Sequence, residues 1–236
     1  MALETEDRAS DSPYVARVWR SQSSGVERMT SVATSTWELV FWEQYGRVHA
    51  AVGGPETAAT AALVPDEAES LGITFSHGTS MPHLPVPRLV DEHLPCPHVT
   101  AKGFVLRGEE WALPDFENAE VFVDRLVREG VLLRDPLVPD AIEGELLPMV
   151  GARSVQRRVA AATGLTQGAI RQIERAREAA LLLGEDVAPL DVVHRLGYYD
   201  QPHLARSLTR FIGRTATQLR RQDAPEPLSL LYKTGA

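Results

Sequence analysis

The hydrophobic pattern of this 236-residue chain changes period part-way along, and that change confines it to a sheet region followed by a helical one. Trp37, Leu39 and Phe41 alternate with Glu38, Val40 and Trp42, and Tyr45-Gly46 offers a turn before Val48, Ala50 and Val52, which predicts a β-hairpin. Leu71, Ile73 and Phe75 alternate in the same way. Five prolines (Pro82, Pro85, Pro87, Pro95, Pro97) cannot donate to a sheet ladder and predict an extended connection. Beyond them the spacing turns helical. Ala119, Phe122, Val123, Leu126 and Val127 follow i, i+3, i+4, i+7, i+8, behind Asp115 as a cap and before Gly130 as a stop. Two further helix-rich stretches part near Gly164 and Gly197, and a long helix is expected from about Thr166 to Leu183. The expected class is α+β: a β-rich domain over 13–112, connecting helices over 113–144 and a helical domain over 145–222. Residues 1–12 are acidic and aperiodic, which predicts a frayed terminus, and 223–236 read as a tail containing Pro225 and Pro227.

Composition narrows the class. With 44% hydrophobic and 24% charged residues the chain reads as globular, and no run of 18 apolar residues predicts a membrane span. The acidic start lacks the basic-then-apolar pattern of a secretory signal, so a cytoplasmic location without membrane partners is expected. The single cysteine, Cys96, excludes an internal disulfide. A net charge of -8 argues against a polyanion partner only until it is divided. Residues 1–150 carry 11 basic and 24 acidic side chains, whereas 151–222 carry 12 arginines and six acids. A reversal of that size points to parts with different partners, the basic one suited to nucleic acid.

The placement of those arginines is informative. In GARSVQRRVAAATG, a helical projection gathers Val155, Val159 and Ala162 on one arc and Arg153, Gln156 and Arg157 on the other. In GYYDQPHLARSLTRFIG, Leu204, Leu208 and Phe211 form the apolar stripe opposite Pro202, His203, Arg206 and Arg210. Asp200 is placed to cap this helix, Pro202 is tolerated in its first turn, and PLDVVHRLG upstream supplies a short helix ending at Gly197. A helix in the major groove offers Arg to guanine and Gln to adenine, and a second one held roughly 34 Å away reads the next groove. The plainer alternative is a helical bundle whose polar faces meet water.

At RSVQRR, TGLT, IRQIERAREAA and LGYYDQPHLARSLTRFIGRT the sequence resembles the AraC/XylS family of bacterial transcription regulators, over about residues 145–221. The resemblance implies two helix-turn-helix units joined by a long helix, with double-stranded DNA as partner. Base-facing positions fall on Arg153, Gln156 and Arg157 of the first unit and on Gln201, Pro202, His203 and Arg206 of the second. Arg158, Arg210 and Arg214 are candidates for phosphate contacts. Val159 and Leu208 stand where the family usually has Phe, and Pro148 lies in the helix expected to support the first unit, around 141–150. The resemblance further implies a β-rich, cupin-like or related, amino-terminal domain that binds a small-molecule effector or pairs with a second copy of the chain, with RNA polymerase as a further partner. No catalysis and no cofactor is implied.

The cupin pattern of a His-x-His pair followed by an acid is absent from the amino-terminal half. Trp19, Trp37, Trp42 and Trp111 are candidates to line an effector pocket, set against the ordinary role of tryptophans as sheet core. A competing reading takes His77, His83, His93, Cys96 and His98, with His93-x-x-Cys96-x-His98 as zinc ligands and Asp91 or Glu92 as general base, for a zinc-dependent enzyme with a helical oligomerisation module. That spacing matches no common zinc signature, and scattered histidines in a Pro-rich loop explain it without a metal.

Overall fold

The structure, a computed structural model, describes residues 2–144, 151–224 and 226–229. In chain order its strands are β1 (Ala2–Ala9), β2 (Val15–Ser24), β3 (Arg28–Ser31), β4 (Glu38–Gln44), β5 (Arg47–Gly53), β6 (Thr60–Leu63), β7 (Ala68–Phe75), β8 (Thr79–Ser80), β9 (His93–Pro95), β10 (Gly103–Leu106), β11 (Glu109–Ala112) and β12 (Leu133–Arg134). The helices are α1 (Ala119–Arg128), α2 (Leu137–Glu143), α3 (Ala152–Thr163), α4 (Gln167–Gly184), α5 (Pro189–Leu196), α6 (Gln201–Phe211) and α7 (Ala216–Arg221). The chain is therefore α+β, with a β-rich amino-terminal region and a helical carboxy-terminal one. None of the described helices is long and apolar enough to cross a membrane.

Six strands form one sheet in the order β1-β2-β7-β4-β5-β9, every neighbour antiparallel. The β4–β5 hairpin turns at Tyr45-Gly46, where both residues adopt positive φ, 51° and 74°. Alternation then sorts the side chains. Val18, Leu39, Phe41, Ile73 and Phe75 are buried in a core that Phe104, Trp111, Phe122 and Leu126 complete. Phe41 meets Phe104 edge-on at 5.1 Å, and Trp37 stacks on Phe75 at 3.9 Å. Trp19 lies across Gly72 on the neighbouring strand, its Nε1 donating to the Glu38 carboxylate at 3.1 Å. A Cβ on Gly72 would stand 2.0 Å from the Trp19 ring. Gly72→Ala is accordingly expected to displace the indole and cost about 1–3 kcal/mol, read as a lower urea midpoint with an unchanged m-value.

Several local expectations need correction. Residues 2–9 do not fray: β1 pairs with β2 along its whole length, Glu6 with Arg20 directly opposite it and Asp7 with Arg17 diagonally. Arg8 binds the Glu120 carboxylate at 2.5 and 2.8 Å and the Phe116 carbonyl at 2.7 Å. That guanidinium pulls Glu120 down to about 2. The Pro-rich stretch is not wholly extended: Val86–Arg88 forms a 3-10 turn, and Pro95 sits in the edge strand β9, where its missing donor leaves no ladder bond unmade. Asp115 does not cap α1. Its carboxylate accepts from the Glu117 and Asn118 N–H groups at 3.0 and 2.8 Å, and Asn118 takes the cap position. The helix expected around 141–150 is represented by α2, which stops at left-handed Gly144; residues 145–150, including Pro148, lie outside the described residues.

The chain forms two compact units, and they do not part at residue 144. One comprises Met1–Val26, Thr36–Pro55 and Pro65–Gln167; the other comprises Glu27–Ser35, Glu56–Val64 and Gly168–Ala236. Helix α3 thus belongs with the sheet-bearing unit, where it packs on α2 and on the 3-10 turn. In the second unit β3 and β6 form an antiparallel ribbon, and residues 227–229 of the stretch expected to trail off pair with β3: the Thr30 N–H donates to the Pro227 carbonyl at 2.9 Å and the Ser229 N–H to the Thr30 carbonyl at 2.8 Å.

Candidate nucleic-acid interface

Helix α5 ends at Gly197, whose left-handed φ of 66° lets the Tyr198 N–H close back on the Val193 carbonyl at 3.0 Å. Four residues later α6 begins. The Asp200 carboxylate accepts from the His203 N–H at 2.7 Å, the cap anticipated from sequence, and Pro202 occupies the first turn. The turn is held from inside: Tyr198 is buried, its hydroxyl 3.2 Å from Ser207 Oγ, and the Arg175 guanidinium of α4 lies 4.4 Å over its ring. Residues 197–200 thus join two short helices through a four-residue turn with a buried anchor.

Leu204, Ser207, Leu208 and Phe211 face inward, which leaves Gln201, Pro202, Ala205, Arg206, Thr209 and Arg210 exposed and His203 half-buried on the same helix. The Tyr199 N–H donates to His203 Nδ1 at 3.3 Å, which leaves Nε2 as the ring nitrogen free to donate outward. At the other end, the Ala59 N–H donates to the Arg210 carbonyl and the Ala33 N–H to the Phe211 carbonyl, both at 2.8 Å. Gly213 follows with φ of 71°, and a Cβ there would meet Thr30 Cγ2 at 2.9 Å. Helix α6 is therefore fixed at both termini, with its outer face exposed.

Helix α3 repeats the amphipathic division: Val155, Val159, Ala162 and Thr163 are buried, while Arg153, Gln156 and Arg157 are exposed. The base-facing candidates of both helices are thus outward, except that His203 is partly covered. The phosphate candidates divide. Arg210 is exposed, whereas Arg158 pairs with Asp135 at 3.1 Å and Arg214 donates to the Glu226 carbonyl at 2.9 Å. Of the 12 arginines in 151–222, Arg158, Arg175, Arg177, Arg214 and Arg220, the last on Asp186, spend guanidinium hydrogen bonds on the protein itself among the described residues, and Arg210 lies 4.9 Å over the Phe211 ring. The cationic surface is consequently narrower than the charge count.

No protein-family model matches the chain, and no curated protein or solved structure matches it either. Ala205 and Thr209 join the candidates: sequence reasoning passed over them because neither is charged, although the helical projection places both beside Arg206 on the outer face. Their methyl groups suit the thymine C5-methyl.

The four tryptophans do not converge. Trp37 and Trp111 are core residues bonded to the Thr79 and Leu106 carbonyls, and Trp19 is spread on Gly72. Trp42 alone of the four lines an open cleft. Nor do the residues of the zinc reading gather. Among the described residues no three His, Cys, Asp or Glu side chains are placed to share a metal ion. Burial holds His77 near 4 and raises the Cys96 thiol to about 11, so both are neutral at neutral pH.

Proposed function

We propose that the chain is a sequence-specific DNA-binding transcription regulator of AraC/XylS type. The observation that carries this reading is the α5–turn–α6 unit, anchored at Asp200 and Tyr198, with an exposed polar face on its second helix. In this reading α6 enters the major groove, and its amino-terminal residues meet base edges. Arg206 offers a bidentate donor pair to guanine, Gln201 pairs with adenine, and His203 Nε2–H donates to an acceptor such as a purine N7 or thymine O4. Arg210 holds a phosphate. Helix α3 supplies Arg153, Gln156 and Arg157 as a second reading face. The β-rich region, cupin-like in this reading, serves as effector-binding or dimerisation module, and RNA polymerase is the partner through which bound protein alters transcription.

Selection of bound fragments from random duplex DNA tests the reading, and a salt titration on the selected duplex adds a number. With about five phosphates neutralised, log affinity is expected to fall against log salt with a slope of about -4 to -5. Recovery of no common motif, or an affinity indifferent to salt, would remove it.

A further inference from the structure

On the β4–β5 hairpin Phe41 and Ala50 point into the core, so their neighbours Trp42 and His49, opposite each other across the two strands, share the other face of the sheet. Their rings stack, centroids 5.0 Å apart and planes 13° apart. The chain returns beside them after β9, the Cys96 N–H donating to the Ala50 carbonyl at 2.8 Å, and residues 95–101 raise a second wall. The cleft between has a volume of about 610 Å³, within the range of small-molecule sites.

The polar groups of this cleft are few. The Thr100 hydroxyl is committed to the turn at 100–103, donating to the Gly103 carbonyl at 3.2 Å and accepting from the Lys102 and Gly103 N–H groups. Burial keeps the Cys96 thiol protonated. Arg47 and His49 remain, and neither side chain has a hydrogen-bond partner among the described residues. No lining residue carries a carboxylate. That absence is informative because residues 1–150 hold 24 acids against 11 bases: the cleft inverts the charge of the region that contains it.

We infer that this cleft binds a planar aromatic anion, its ring laid against the Trp42–His49 stack and its charged group held by the Arg47 guanidinium. Stacked on each other, the two rings each keep one outer π face, and a ligand ring laid on such a face is held with little regard to its identity. Arg47 supplies the discrimination, because its guanidinium is a permanent charge in the lining and no carboxylate lines the cleft beside it. Binding here is independent of the DNA reading and is measured without DNA, so either can fail alone.

The test uses the full chain and three probes of nearly one shape: indole-3-acetate, indole-3-acetamide and tryptamine, titrated calorimetrically. Indole-3-acetate is expected to bind saturably at one site per chain, the amide at least about tenfold more weakly, and the amine not measurably. Arg47→Gln, at an exposed position, should abolish the preference for anion over amide while the far-ultraviolet circular dichroism stays unchanged. Trp42→Leu should weaken anion and amide together. Equal binding of the two, a preference that survives Arg47→Gln, or no heat from any probe at millimolar concentration overturns the assignment.

Discussion

Arg206→Ala is expected to weaken binding to the selected duplex by about 1–3 kcal/mol, roughly 5- to 150-fold, and to relax the preference at one base pair while leaving the others intact. The side chain projects from the middle of the exposed face of α6, and no group among the described residues competes for its guanidinium. Leu204 and Leu208, on either side of it in sequence, are buried, so the helix that carries it cannot roll without opening the core. Arg210→Ala, one turn on, provides the contrast: as the proposed phosphate contact, it is expected to weaken binding to all sequences alike and to lower the salt slope by about 1. Competition assays on the selected duplex and its single-base variants separate these outcomes. Uniform weakening by Arg206→Ala would assign it to the phosphate backbone instead.

The second large effect is on stability. Arg177 is 2% exposed within α4, where it donates to the Ala33 carbonyl at 2.9 Å beside Glu174, itself bonded to Ser35. Burial pushes the Glu174 carboxyl up, and Arg177 and Ser35 pull it back. Removing the guanidinium leaves a buried carboxylate without its countercharge and a carbonyl without its donor. Arg177→Ala is therefore expected to cost about 3–5 kcal/mol in denaturant unfolding. The pH dependence has a definite sign. In the variant the folded state binds a proton on Glu174 more tightly than the unfolded chain, so stability falls as pH rises above the ordinary carboxylate range. Adding Glu174→Gln should recover part of the loss and flatten that dependence; a loss equal at pH 4 and pH 8 would contradict the pairing.

What the sequence disclosed depended on range. Alternation in Leu39-Phe41 and Ile73-Phe75, the Tyr45-Gly46 turn and the Gly197 to Asp200 signal are local, each written within a few residues, and each appears in the structure. Strand β1 was illegible because ALETEDRA has the composition of a solvated terminus; its order comes from partners at Arg17, Arg20 and Glu120, known only once the chain is folded. The ribbon β3–β6 carries RMTS and TAAL, too short for a period, and it joins residues about 30 apart. At the candidate interface the arginines were visible, but which were already taken was not: Asp135 and the Glu226 carbonyl claim Arg158 and Arg214 across 23 and 12 residues.

The two backbone donors that finish α6, from Ala33 and Ala59, come from stretches more than a hundred residues upstream in the chain. Expression of residues 168–236 alone would leave the Arg210 and Phe211 carbonyls unclosed and Gly213 without its neighbours, so such a truncate should be poorly folded however complete its helices look. Shuffling by simple end-to-end fusion is thereby closed to this unit: a graft of α4 to α7 onto another protein would have to carry two inserts, Glu27–Ser35 and Glu56–Val64, along with it.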